Sequence, residues 1–416
     1  MRSRLALGLA LASLVSGAAR AAPFDGSQPV DAYTSMGAVN SRVLALGGAF
    51  VGVAEGLGGV GANPAAIAQR DRLQRRMWAL DAVLSWRAPS ISELESQDLD
   101  DDGVSDRRLR SRSAIQAGAG GQYGKLGVGF LVSGWGLSAP RGAAEEQLTA
   151  QDLSIAAGWS GWRDEVVLGV SLTGANGEVR STVGGVEHGR VEYDGLRVRL
   201  GGLWRPRGEP FRLGVALDPG ARALPSGDRS GLPFPTPSAF LFPWVAAVGG
   251  AVWIGPNARR LNEPPPAALE LHPDWGDPPE WDPAGPQPVL LALQVDVVGP
   301  SRGAVSFGSA VVEGAEALPS GRTASVVLRG GAEWEPWIGW AHLRAGSYLE
   351  PSRTGAGSRL HGTFGAEVRV PCWPWDLSLG VAGDVAARFR QLGLSVGLWG
   401  DVGPGSAPPR LASPAA

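Results

Sequence analysis

The sequence predicts an all-β protein, a transmembrane antiparallel β-barrel of about fourteen strands. Three observations carry this. Hydrophobicity alternates with a period of two over segments of about ten residues. Tryptophan dominates the aromatics and lies at segment ends. Tight and long connections alternate along the chain.

The alternation is regular. Leu153, Ile155, Ala157 and Trp159 interleave with Ser154, Ala156, Gly158 and Ser160. Leu168, Val170 and Leu172, then Phe211, Leu213, Val215 and Leu217, repeat the pattern, as do Leu291, Leu293, Val295 and Val297 and, near the end, Leu392, Leu394, Val396 and Leu398. Such spacing puts one side-chain set on each face of a strand, here an aliphatic set opposite a small, polar or charged one. A soluble β-sandwich also alternates, but its strands usually run about 5–6 residues. The 16 Trp outnumber the 10 Phe and 4 Tyr. Trp78, Trp86, Trp135, Trp162, Trp204, Trp253, Trp334, Trp337, Trp373, Trp375 and Trp399 stand at segment ends, suited to two interfacial girdles.

Strands are expected near 77–87, 112–122, 125–135, 151–161, 165–175, 191–203, 210–218, 244–254, 288–298, 323–335, 339–350, 359–370, 375–386 and 390–400. The number is even, as in single-chain bacterial barrels. Connections two, four, six, ten and twelve are tight, reading as periplasmic turns; one, three, five, seven and nine are long, reading as outer loops. Connection eight, at about 256–287, is a Pro-rich irregular insertion on the periplasmic side. Residues 304–312, which could form a further strand, are assigned to a loop extension.

Residues 1–21 read as a secretory signal peptide: Arg2 and Arg4, an apolar run from Leu5 to Val15, and the cleavage site Ala19-Arg20-Ala21. Residues 401–416 read as a disordered tail. No run of 18 apolar residues indicates a membrane helix. A net charge of −3 without a basic run argues against a nucleic-acid partner. The single cysteine, Cys372, excludes an internal disulfide and a cysteine metal cluster.

Residues 36–68 differ from the rest, being rich in Gly and Ala and poor in charge. Asn63 fits a helix N-cap and Pro64 the first helical position. From spacing alone the stretch reads as a buried Gly-rich turn. Taken together, Arg42, Ala45-Leu46-Gly47-Gly48-Ala49-Phe50-Val51, Ala54-Glu55 and Asn63-Pro64-Ala65 resemble the FadL-type outer-membrane transporters of long-chain fatty acids and their TodX-like relatives for aromatic hydrocarbons. Leu343-Arg344-Ala345-Gly346 followed by Glu350-Pro351-Ser352 supports the resemblance, and Pro243-Trp244 through Val248-Gly249 echoes it more weakly. The chain departs from that pattern at Glu55-Gly56, at Gly61-Ala62 and in its Pro/Ala tail.

The resemblance implies a fourteen-stranded barrel, residues 76–400, with residues 22–75 folded inside as a luminal hatch carrying the signature Gly47, Gly48, Phe50, Asn63, Pro64 and Ala65. It implies a monomer in the bacterial outer membrane, in contact with its lipid, that takes up a fatty acid or hydrocarbon passively and without a cofactor. A carboxylate head would need one cation, for which Arg199, Arg329, Arg344 and Arg369 are candidates; pairing of these arginines with luminal acids such as Glu333, Asp296 or Glu367 is the favoured reading for each. Asp98, Asp100, Asp102 and Asp106, with Gly103, form a possible calcium loop in the first outer connection, although Leu109 breaks the EF-hand pattern and a merely solvated acidic loop is the favoured reading. His188, His272, His342 and His361 are scattered, with no H-E-x-x-H or G-x-S-x-G motif. His342 and His361 read as wall or lumen residues and Cys372 as a packing residue. Two alternatives stand beside the channel: a non-transporting PorV-like barrel serving as a docking or secretion partner, and a barrel lipid-modifying enzyme.

Overall fold

A computed structural model describes residues 24–37, 39–69, 77–89, 97–98, 111–227, 235–263, 288–311, 317–337, 340–372 and 375–400. Residues 1–21 (read above as a signal peptide), residues 401–416 (read as a tail), most of the Pro-rich insertion and Asp100, Asp102 and Asp106 lie outside the described residues.

Fourteen strands form the wall: β1 (Trp78–Pro89), β2 (Ser111–Tyr123), β3 (Leu126–Arg141), β4 (Ala144–Gly161), β5 (Val166–Val183), β6 (Leu196–Trp204), β7 (Phe211–Asp218), β8 (Val245–Ile254), β9 (Val289–Val298), β10 (Ser325–Trp337), β11 (Ala341–Pro351), β12 (Ser358–Cys372), β13 (Trp375–Ala386) and β14 (Phe389–Gly400). Each pairs antiparallel with its predecessor. The cylinder closes where β1 pairs with β14, from Leu80 opposite Gly400 to Pro89 opposite Gln391.

The aliphatic set points outward: Leu293 is 72% exposed and Ile155 65%. Leu168, Val170, Leu172, Leu213, Val215, Leu392, Leu394, Val396 and Leu398 are exposed likewise. A continuous apolar band on a sheet with no free edge suits lipid, where every strand hydrogen bond must be made within the wall. The molecule is a transmembrane β-barrel.

Two expectations are corrected. Connections three and five are tight hairpins rather than long loops, because their flanking strands continue past the apolar band. β3 and β4 meet with Arg141 opposite Ala144, and β5 pairs with a strand at Val186–Asp194 beginning with Val186 opposite Val183. The outward positions there turn polar (Glu145, Gln147, Arg180), so a reading keyed to lipid-facing residues ended the strands early. Among the described residues the exposed tryptophans divide unevenly between the two ends of the barrel. Trp78, Trp159, Trp162, Trp204, Trp334, Trp337 and Trp340 are exposed at the end with the tight turns, whereas Trp86 and Trp244 are exposed elsewhere. Trp253 is buried, and Trp135 packs on Phe307 at 4.1 Å between ring centroids. Trp373 lies outside the described residues.

The N-terminal segment begins at the outer end. A short strand, Val30–Asp31, runs parallel to Phe240–Leu241 and beside Val305. The chain then descends through α1 (Ser41–Ala45) and two 3₁₀ turns, Leu57–Gly59 and Pro64–Ala68. α1 lies against β11–β14 and the two turns against β1–β6. Val51 and Gly52 reach β7 and β8 at Gly214 and Gly250, Phe50 reaches β9 at Gln294, and Leu46 reaches β10 at Gly331. A segment that touches every strand of a closed cylinder lies within it. Inward glycines allow the approach: a Cβ at Gly331 would stand 2.5 Å from the Leu46 carbonyl oxygen.

The outer end is capped by an apolar core. Val30, Leu137, Leu148, Tyr193, Phe240, Phe307 and Val311 are buried together there. Residues 304–311 belong to this cap as a short strand, Ala304–Val305, and a helical turn, α2 (Phe307–Val311), consistent with a loop extension. At the opposite end, the start of the insertion folds inward. Asn262 Nδ2 donates to the carbonyls of Pro206, Glu209 and Phe211, and Leu261 packs in the cluster holding Trp253 and Phe50.

Candidate functional site

The N-terminal segment is fixed by polar side chains projecting from the inner wall. Gln294 Oε1 accepts from the backbone N–H groups of Phe50 (2.9 Å) and Val51 (2.8 Å). Thr363 Oγ1 donates to Ala45 O (3.0 Å), Gln122 Nε2 to Ile67 O (2.8 Å), and Asp81 Oδ2 accepts from Leu57 N (2.6 Å). Asn63 works in both directions. Its Oδ1 accepts from Ala65 N at 3.0 Å, capping the turn that Pro64 opens, while Nδ2 donates to Val51 O (3.0 Å) and to Gly202 O in β6 (3.1 Å). The cap read from sequence is present, though the turn is 3₁₀ rather than α. Gly47 (φ 63°) and Gly48 (φ 76°) occupy the left-handed region, and Phe50 is fully buried.

A chain of alternating charges ties the segment to the wall. Arg42 bonds Glu55 (2.9 Å) and Glu333 of β10 (2.9 Å). Glu333 also takes Arg344 of β11 (2.6 Å), which reaches Glu367 of β12 (3.0 Å); Arg369 lies 3.6 Å from Glu367. Glu55 takes Arg212 of β7 as well. Buried charges persist only when paired in this way.

Between this segment and the outer cap lies a chamber of about 240 Å³. Tyr33, Val39, Val43, Val51, Ala62 and Pro64 form its apolar side, with Trp135, Phe242, Pro243 and Val245 from the wall and cap. Its polar side carries Arg197, Arg199, Asp152 and Asp218, with Asp296 and Arg329. Of the four candidate arginines, Arg199 and Arg329 line this chamber. Arg369 lines a second cavity of about 120 Å³, with Arg42, Asp81 and Asp376, beyond the segment toward the tight-turn end. Arg344 lies within the charge chain and borders neither of these two cavities. Arg329 bonds Asp296 (2.6 Å) and Arg199 bonds Asp218 (3.2 Å), so these arginines have the luminal acid partners favoured from sequence.

The sequence reading missed Arg197, Asp152 and Asp218. Their signal was present: Arg197 and Arg199 are two apart on one strand and share the inward face. It also missed Arg42 as the centre of the charge chain. Asp98 is buried at the outer rim, where its carbonyl accepts from Arg359 Nη1 at 2.8 Å. His361 is fully buried beside Asp384 (2.8 Å), Glu350 (3.1 Å) and Arg359 (3.0 Å), stacked on Tyr348. Both of its ring nitrogens are engaged, which suits a structural role.

No protein-family model and no curated protein sequence matches the chain. Solved structures do. A FadL homologue of Pseudomonas aeruginosa superposes with a TM-score of 0.54 at 11% identity, over 87% of this chain and 97% of that one. The CymD monoaromatic hydrocarbon channel gives 0.54 at 12%, over 89% and 99%. The chain has the FadL-type fold. A deltaS2S3 mutant of the TodX monoaromatic hydrocarbon channel shares this FadL-type architecture, with a TM-score of 0.51 at 11% identity over 89% of this chain and all of that one (100%). At such identities the likeness establishes the barrel and its connectivity. In this FadL-type barrel, the chamber and its charges are the chain's own.

Proposed function

We propose that this chain is an outer-membrane channel for the passive uptake of hydrophobic solutes, with residues 22–75 as its hatch. The chamber carries the reading: an amphipathic space inside a lipid-facing cylinder, bounded by the apolar cap above and the N-terminal segment below. Moving an apolar molecule from water into such a space gains about 0.8 kcal/mol per buried methylene, so no energy source and no covalent step are required. The similarity in fold to channels described as carrying monoaromatic hydrocarbons supports the same class of cargo.

The test is uptake by whole cells of a host that lacks channels of its own for such compounds. Expression of the full chain should raise the initial rate of radiolabelled toluene or oleate accumulation over cells with an empty vector. Equal rates, with the barrel shown by protease accessibility to be in the outer membrane, would overturn the reading.

A further inference from the structure

The geometry points to Asp218 as the residue that makes the chamber select uncharged apolar molecules over carboxylates. This rests on the uptake reading above and narrows its cargo. Among the described residues, the charged groups lining the chamber are three arginines and three aspartates, and their charges cancel. Each is already paired within the wall. Arg329 is held by Asp296 at 2.6 Å and donates to Ser35 O at 2.7 Å. Arg197 is held by Asp152 at 2.6 Å and by Asp218 at 3.0 Å, with its guanidinium 5.1 Å from the centre of the Phe242 ring. Arg199 is held by Asp218 at 3.2 Å and donates to Gly61 O of the N-terminal segment.

Asp218 is therefore the shared anion of two arginines. It is itself fixed at the end of β7, where its Oδ1 accepts from Gly220 N at 2.9 Å. An incoming carboxylate would have to lose its hydration and displace this aspartate, leaving one anion without a partner. A neutral molecule meets no such penalty and gains contact with Val43, Val51, Pro64 and Phe242. Without the Asp218 charge, Arg197 would keep Asp152, but Arg199 would retain only a carbonyl. The chamber would then hold one surplus cation where a ligand carboxylate could sit.

The experiment uses the full chain in detergent and equilibrium dialysis of benzyl alcohol and benzoate, a neutral and an anionic probe of similar size, each corrected against empty micelles. Wild type should favour benzyl alcohol. Asp218→Asn should shift the benzoate-to-benzyl-alcohol affinity ratio toward benzoate by about tenfold, the size of one modest charge-assisted contact. Adding Arg199→Gln to Asp218→Asn removes the surplus cation and should return the ratio to the wild-type side. Heat-modifiable gel migration reports whether each variant is folded. Should Asp218→Asn not fold, Arg199→Gln alone must lower the ratio below wild type. A wild-type preference for benzoate, or a ratio unmoved in every folded variant, overturns the assignment and leaves the uptake reading standing. If wild type binds neither probe, both fall.

Discussion

Asn63 concentrates three hydrogen bonds in one side chain, and it is fully buried. Removing it leaves the Val51 and Gly202 carbonyls and the Ala65 N–H without these partners, at about 1–3 kcal/mol for each group left buried and unsatisfied. Asn63→Ala is expected to assemble a normal barrel with a loosened segment inside it. Cells carrying it should admit more of a small hydrophilic β-lactam, measured by its hydrolysis in the periplasm; permeation unchanged from wild type would remove Asn63 from this role. The cap itself was legible because Asn followed by Pro states both an acceptor and a fixed φ at adjacent positions. The partners Val51 and Gly202 were not, since they lie 12 and 139 positions away and no local pattern encodes them.

At the scale of elements, the wall was readable and its continuation was not. Fourteen strands follow from periodicity because lipid imposes an apolar residue at every outward position. Beyond the apolar band the outward positions of β3–β5 turn polar while inward Leu137, Leu148 and Val179 pack in the cap, so the lipid-facing signal is lost although the hydrogen-bonded ladder continues to Arg141 and Val183. The inward glycines had a second meaning that periodicity could not reveal: they mark where the N-terminal segment touches the wall. Gly214 is among the tightest cases, since a Cβ there would overlap the Val51 carbonyl. Gly214→Leu should therefore leave the outward face of β7 intact and expel residues 51–52 from their seat. Single-channel recordings in planar bilayers should show larger and more frequent conductance than wild type; identical records would mean that the segment adjusts without yielding.

For the whole molecule, the balance lies between a greasy exterior and a charged interior. Leu293, at the middle of β9 and 72% exposed, samples the exterior. Leu293→Arg should destabilise the folded barrel by about 2–4 kcal/mol, as expected for a cation at the bilayer midplane, measured by guanidinium unfolding in liposomes. A change within a few tenths of a kcal/mol would place that position outside the lipid core. The interior was only half legible. Sequence placed Arg199, Arg329, Arg344 and Arg369 inward with acids such as Asp296 and Glu333 to meet them, but not Arg197 or the central place of Arg42, because pairs such as Arg42–Glu333 join residues 291 apart.

The short strand at Val30–Asp31 has a consequence for biogenesis. Asp31 accepts from Ser301, Ser320 and Arg353, the last of them 322 positions later in the chain. This N-terminal segment thus depends on partners that lie far later in the sequence. Seating of this segment is therefore expected to come late, after Phe240, Val305 and Arg353 are in place. A chain lacking residues 22–37 should accordingly still fold into a heat-resistant barrel at the normal rate, followed by gel-shift kinetics in lipid vesicles. Slowed closure would mean that the segment instead templates the wall around itself.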